Sequence, residues 1–414
     1  MDRTPTAQPA GVNLLALRGH NAALVLDLLR AAGEDGISRL ELAARTGLTP
    51  QAVSKITARL RGQGLVAEAG RRASTGGKPR TVLRLVRGAA SAVGLHLDRD
   101  ELRAVRVDLL GRVVEERRCP LDFGAGPEAV VEVAAARVRD LVAGASDLSG
   151  PGSEEGSVPD PAPDPAPGSV PGSVLGVGVA LPGPLDHAHG VLHRVTGFPE
   201  WDGFALRDVL GERLGLPVAV DKDTNAAALG LALTGGADSS ASSASSASPV
   251  SPASSFAYLH LGTGLGAGLV LDGSLYRGAR TGAGEFGHQV LQLDGPLCDC
   301  GERGCVEALC LAAVREGATD EAARVLGVAA GNLVSLLDID RVLLGGRVVL
   351  AAEDRFVRGV GAVLDERARR GGGDARVPVA VAAGGTRAVA EGAAQLVLAP
   401  LFGRATVAFP ANRN

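Results

Sequence analysis

A chain of 414 residues with 46% apolar side chains is long enough for two or three domains with sizeable cores, and aromatics at 3% mean that those cores are built from Leu, Val and Ala. No apolar run approaches the roughly 18 residues of a spanning helix, and the opening Met1-Asp2-Arg3-Thr4-Pro5 lacks signal-peptide character, so a cytoplasmic protein without membrane insertion is expected. Charge is split: residues 1–90 hold fourteen Lys/Arg against six Asp/Glu, a net of +8, while the whole chain is −4, the footprint of a nucleic-acid-binding head on an acidic body.

Residues 13–32 carry helical periodicity, with Leu14, Leu17, Ala23, Leu24, Leu26, Leu28 and Leu29 as the apolar face. Ser38 and Glu41 form a capping box for a short helix holding Leu40, Leu42, Ala43 and Ala44. Thr46-Gly47-Leu48 makes a turn, Thr49 caps the next helix, and Pro50 takes its first position, where the missing N–H costs nothing. Val53, Ile56 and Leu60 face the core, and Gln51, Ser54, Lys55 and Arg59 the opposite side. The spacing predicts a helix-turn-helix whose recognition helix spans 49–63. Gln51, Ser54 and Lys55 are placed to reach base edges in a major groove, and Arg59 and Arg61 to touch phosphates. Residues 65–86 read as a two-stranded wing whose tip carries Lys78 and Arg80 toward a minor groove.

Two low-complexity stretches, about 144–173 and about 235–255, lack the apolar content to offset ordering entropy and read as disordered inserts. Between and around them lie three strand-bearing segments. Val174–Pro184 reads as a buried strand ending in a Pro-Gly-Pro turn. Residues 216–230 read as strand, acidic turn and helix, and Phe256–Gly268 as strand, Gly262-Thr263-Gly264 turn and strand. Bare N–H groups in such a turn can hold a phosphate.

The run Gly284-Glu285-Phe286-Gly287-His288 is followed by Cys298-Asp299-Cys300-Gly301-Glu302-Arg303-Gly304-Cys305-Val306-Glu307. Three of the five cysteines fall within eight residues, ten residues after a histidine. One imidazole and three thiolates make a closed tetrahedral Zn²⁺ shell, so a structural zinc on His288, Cys298, Cys300 and Cys305 is expected. Cys119 and Cys310 read as buried apolar thiols.

This stretch resembles the zinc loop of the ROK family (repressors, open reading frames and sugar kinases), with every fixed position present. The head resembles the winged helix-turn-helix of ROK regulators, and the three strand segments and Val342–Gly346 resemble family landmarks. The resemblance implies an α/β architecture: a winged helix-turn-helix over 1–88, then a two-lobed actin-like ATPase (ribonuclease H-like) body. Its small lobe would span 89–225 and its large lobe 226–414, with a C-terminal helix returning to the small lobe. It further implies that Asp223 is the base of family kinases, that Asp223, Glu285, His288 and Glu307 bind a sugar, and that Gly262, Thr263 and Gly264 are a phosphate-loop remnant.

Departures from the family pattern bear on activity. The kinases' first strand carries D-x-G-G-T; here His96 replaces the aspartate, and Asp98-Arg99-Asp100 replaces the glycines and threonine. Two carboxylates there would repel a triphosphate, so ATP binding and catalysis are not expected. Lys222 stands where the family usually has a sugar-binding Asn. A sugar-responsive transcriptional regulator follows, most simply a repressor of carbohydrate genes. It would bind double-stranded operator DNA as a dimer or higher homo-oligomer and answer to a sugar or sugar phosphate. The alternatives are an ATP-dependent sugar kinase with an accessory head, and a regulator controlled by a protein partner.

Overall fold

The computed structural model describes residues 14–72, 80–147, 173–234, 254–372 and 376–404. Most of both low-complexity stretches, and Lys78, lie outside these residues. The stretches' described edges are regular, since a helix runs to Asp147 and a strand opens at Ser173.

The head runs α1 (Leu14–Ala32), β1 (Ile37–Ser38), α2 (Arg39–Thr46), α3 (Pro50–Gly62), β2 (Val66–Arg72) and β3 (Arg80–Leu85). The capping box forms in both directions: the Glu41 amide donates to Ser38 Oγ, and the Ser38 amide to Glu41 Oε2 at 2.8 Å. Thr49 accepts from the Ala52 amide, and Gly47 turns the chain with φ 69°. The strands pair antiparallel in the order β1-β3-β2. Among its described residues, α1 buries Ala22, Ala23, Val25 and Leu29; Ala23 and Leu29 belong to the expected face, but Leu24 of that face is 37% exposed. At 100° per residue, positions 22, 25 and 29 share one stripe, and Leu24 falls off its edge. Leu40, in the first turn of α2, is also exposed, while Leu42 carries the burial.

The body has two five-stranded sheets. The first uses β4 (Ala90–Leu97), β5 (Glu101–Asp108), β6 (Val113–Pro120), β7 (Ser173–Leu181) and β10 (Val218–Lys222), in the order β10-β7-β4-β5-β6. Strands β4, β7 and β10 are parallel, and β5 and β6 antiparallel. Helices α4 (Pro127–Asp147) and α5 (Leu206–Leu214) cover it, and a small hairpin, β8 (Leu185–Asp186) with β9 (Val191–Leu192), follows β7. The second sheet uses β11 (Phe256–Leu261), β12 (Leu265–Leu271), β13 (Ser274–Tyr276), β14 (Arg341–Gly345) and β15 (Val379–Val381), in the order β13-β12-β11-β14-β15. Its core is closed by α7 (Val306–Arg315), α8 (Thr319–Leu337), the short α9 (Arg347–Leu350) and α10 (Glu353–Arg370).

Two helices join the sheets: α6 (Asp223–Thr234) and α11 (Ala388–Leu398). Thr224–Leu231 of α6 and all of α11 but Glu391 are buried, so neither helix presents a broad solvent face. Residues 216–230 therefore differ from the sequence expectation: no turn intervenes, and β10 passes directly into α6 at Asp223. The packing depends on glycine. A β-carbon at Gly178 in β7 would overlap the Ala393 carbonyl oxygen of α11, and one at Gly392 would overlap the Ala226 carbonyl oxygen of α6.

A third core cluster runs from the head into the body without a break. It joins Val25, Leu29, Leu42, Val53 and Leu60 to Ala92 and Val107 of the first sheet and to Ala394, Leu398 and Phe402 at the C-terminal end. Ion pairs Arg404–Asp27 (2.6 Å) and Arg87–Glu34 (2.9 Å) border this seam. Among the described residues, no helix is long and apolar enough to cross a membrane.

Candidate ligand cleft, metal cluster and nucleic-acid face

The two sheets leave a small cleft between them, of about 90 Å³, that opens to solvent. Asp223, Glu285, His288 and Glu307 all line it, as do Thr263 and Gly264, but Gly262 does not. The Gly262 amide instead closes the turn on the Gly264 carbonyl.

Asp223 is the first residue of α6, where a carboxylate complements the helix dipole. Its Oδ1 accepts from the Thr224 amide at 2.6 Å, and burial pushes its pKa above the ordinary value, against the pull of His260 and the Thr224 amide. Glu307 sits in the first turn of α7, buried, with Oε2 accepting from the Leu265 amide at 2.7 Å. Glu285 is already engaged. Lys222 Nζ, buried on the opposite wall, donates to Glu285 Oε1 at 3.0 Å and also to the Ala283 carbonyl. The position that departs from the family thus places an ammonium against one of the sugar-type acceptors. Behind it lies a buried ion pair that sequence reading missed: Arg277 Nε donates to Asp221 Oδ2 at 2.7 Å, while Asp221 Oδ1 accepts from the Asn225 amide nitrogen.

At the other end of the cleft, Asp98 and Asp100 are paired across the lobes. Arg347, immediately after Gly345-Gly346, reaches across from α9 to the β4–β5 turn. Its Nη1 and Nη2 donate to Asp100 at 2.8 and 2.7 Å, and Nη2 to Asp98 at 3.2 Å. Thr263 Oγ1 adds a bond to Asp98 Oδ1 at 2.9 Å. One guanidinium offsets only one of the two negative charges, so the cluster keeps a net negative charge. Hydrogen bonds from Arg347 hold Asp100 below the ordinary carboxylate pKa. Burial pushes Asp98 up, but the His96 ring, the Arg99 amide, the Thr263 hydroxyl and Arg347 together carry it below its ordinary value. His96 is buried and driven down to about 4 by desolvation, so it is a neutral ring packed edge-on to His260.

His288, Cys298, Cys300 and Cys305 come together with one ligand atom each, all within 4.8 Å of one another. Cys298 Sγ lies 3.7 Å from His288 Nδ1, and Cys300 Sγ 3.7 Å from Cys305 Sγ. A tetrahedron with metal–sulfur bonds of about 2.3 Å has sulfur–sulfur edges of about 3.8 Å, so the donors fit a tetrahedral cation. Burial and the neighbouring thiols push Cys305 up to about 12, a cost that a bound cation reverses. With Nδ1 turned to the thiols, the His288 ring also borders the cleft, so the cluster can fix that ring for a ligand. Cys310 is buried as expected, but Cys119 is only half-buried, on the edge strand β6.

On the head, Gln51, Ser54, Lys55 and Arg59 are all exposed along one side of α3, and Arg80 is exposed at the start of β3. Arg61 pairs with Glu68 of β2 at 3.0 Å, with both side chains about half exposed.

Comparison with known proteins agrees with this geometry. Residues 167–315 match the family model described as ROK family. The chain is 27% identical over 271 residues to the xylose repressor of Caldicellulosiruptor bescii, covering 66% of this chain and 59% of that protein. Among solved structures, it is similar to a ROK family transcriptional regulator described as a homolog of the E. coli MLC protein, with TM-score 0.69 at 20% identity over 93% of this chain and 97% of that one. It is also similar to a ROK family glucokinase from Streptomyces griseus in complex with glucose and AMPPNP, with TM-score 0.54 at 26% identity over 74% of this chain and 98% of that one. The α/β body therefore has the two-lobed fold of ROK proteins.

Proposed function

We propose that this chain, which carries a ROK family domain, is a sugar-responsive transcriptional regulator, a repressor of carbohydrate genes that binds operator DNA as a dimer. The C. bescii repressor, whose name supplies the sugar-linked precedent, is matched over only 59% of its length. The observation that carries the reading is the Asp98–Arg347–Asp100 cluster. It leaves two carboxylates and one guanidinium at the edge of the cleft, where in this reading a kinase would need a phosphate cradle, while Asp223 and Glu307 still line the cleft as acceptors. Phosphoryl transfer depends on positioned phosphates and metal, and a candidate base such as Asp223 does little without them. The exposed α3 face, packed through a shared core onto the cleft-bearing body, supplies the DNA contact.

In this reading Asp223 and Glu307 accept hydrogen bonds from sugar hydroxyls, the free Nε2–H of His288 donates to a sugar oxygen, and Gln51, Ser54 and Lys55 read bases. Zn²⁺ on His288 and the three thiolates would hold the 285–307 loop in shape and supply no chemistry, because four protein ligands close the shell. The test is genome-wide sequencing of DNA bound by the full chain, followed by gel shifts on the recovered site with a panel of hexoses, pentoses, amino sugars and their phosphates. Specific binding released by one sugar is the expected result. Sequence-blind binding alone, or ADP release at about 1 s⁻¹ or faster with a sugar and Mg²⁺-ATP, would overturn it.

A further inference from the structure

Helix α6 has one end in the ligand cleft and the other against the DNA-facing head. Its first residue is Asp223, and twelve residues at about 1.5 Å each carry it about 18 Å. Every residue from Thr224 to Leu231 is buried, between β12 on one side and α11 on the other. A helix clamped along its length moves as a unit, since close-packed interiors transmit displacement and do not absorb it.

The far end is capped by a residue of another domain. The last carbonyls of a helix have no partner within it, and the Leu233 carbonyl accepts from Arg30 Nη1 of α1 at 3.1 Å. A guanidinium at a helix C-terminus also complements the dipole. Arg30 has little freedom there: Nη2 donates to Asp27 at 3.0 Å, and its face lies over the Phe402 ring at 5.2 Å. Its own helix shares a core with the next two, through Val25, Leu29, Leu42, Val53 and Leu60. A shift at the Asp223 end therefore arrives at Arg30, and from there at the packing that aims α3.

We propose that Arg30 is the coupling residue of this molecule: through the capped end of α6 it makes the orientation of the DNA-facing head depend on whether a ligand occupies Asp223. The inference rests on the regulator reading and adds the route by which cleft and head communicate. Linkage energies of such systems correspond to about 5- to 150-fold changes in affinity, within reach of one capped helix end and its packing.

The experiment compares the full-length wild type with Arg30→Gln, Arg30→Lys and Glu34→Gln. Glu34→Gln breaks the head's ion pairs with Arg87 and Arg112 without touching α6. The probes are D-glucose, D-xylose, N-acetyl-D-glucosamine and their terminal phosphates, and the one giving the largest thermal shift is carried forward. Sugar affinity is read by calorimetry, and operator affinity with and without sugar by fluorescence anisotropy. The expected result is a wild-type ratio of operator affinities of about tenfold. It should fall below about twofold in Arg30→Gln with sugar affinity kept, and stay near wild type in Glu34→Gln. Arg30→Lys should fall between, and is read in place of Arg30→Gln if the latter does not fold. An unchanged ratio in the Arg30 variants, or an equal loss in Glu34→Gln, overturns the coupling role while the regulator reading stands. A wild type whose operator affinity answers to no sugar overturns both.

Discussion

Arg347 and Asp100, 247 residues apart in the chain, meet across the cleft in a two-pronged pair at 2.8 and 2.7 Å, with Asp98 within reach of the same guanidinium at 3.2 Å. One charged fork thus ties the two lobes. Arg347→Ala should lower the unfolding free energy by about 1 kcal/mol, a modest figure because the arginine side chain is 45% exposed and solvent screens the pair. Urea melts measure it. The pH dependence has a fixed sign. Both carboxyls are depressed below their ordinary value of 3.8, so their contribution is complete above that value and is lost as pH falls below it toward the folded values. The difference between wild type and Arg347→Ala should therefore be constant from neutrality to about pH 5 and shrink below about pH 4. A difference that grows on acidification would show that the cluster is not held by ionised carboxylates.

Lys222 holds Glu285 at 3.0 Å, so a neutral sugar that uses Glu285 must compete with an ammonium. Lys222→Asn should free the acceptor and tighten binding of neutral sugars by about three- to tenfold, about the worth of one hydrogen bond. Isothermal titration against a sugar hit measures it. Weaker binding would mean that the ammonium is itself a ligand.

Freshly purified protein should carry one zinc per chain by elemental analysis. Cys305→Ser should release it and lower the melting temperature by several degrees, since the metal would tie together donors from both ends of the 288–305 loop. Cys310→Ser should keep its metal, because that sulfur is buried elsewhere, against the Ala322 carbonyl.

Lys55→Ala should cost about 1–3 kcal/mol on the specific site and relax preference at one base pair per half-site. Arg80→Ala should weaken binding more evenly across sequences and flatten the salt dependence of affinity. Competition gel shifts over a set of single-base operator variants separate the two patterns.

Local features were legible in the sequence because their partners are near in the chain. Ser38 with Glu41, Thr49 with Pro50, and the histidine and cysteines of the 288–305 loop lie within one turn or one loop, and each appears as its spacing demands. The burial of α1 was less legible: its side chains are apolar nearly all round, so periodicity alone did not choose between the stripes through Leu24 and Val25. The decisive charge contacts were invisible for a different reason. Arg30 meets Leu233 at a separation of 203 residues, Arg347 meets Asp98 at 249, and Arg277 meets Asp221 at 56. No local rule pairs such residues, because the fold alone sets which arginine faces which acid. The substitution of Asp98-Arg99-Asp100 for glycines showed that something had changed at that turn, but the compensating cation lay on the other lobe.

The shared core of Val25 and Leu29 with Ala394, Leu398 and Phe402 bears on how interchangeable such heads are. A reader module joined by a tether can be cut out and grafted onto another chassis. This one cannot, because part of its interior is supplied by the last helix of the protein. A chimera that borrows residues 14–86 alone would import an apolar surface with nothing to cover it. A workable exchange would have to carry the α11 residues of this core and the Phe402 turn along with the head.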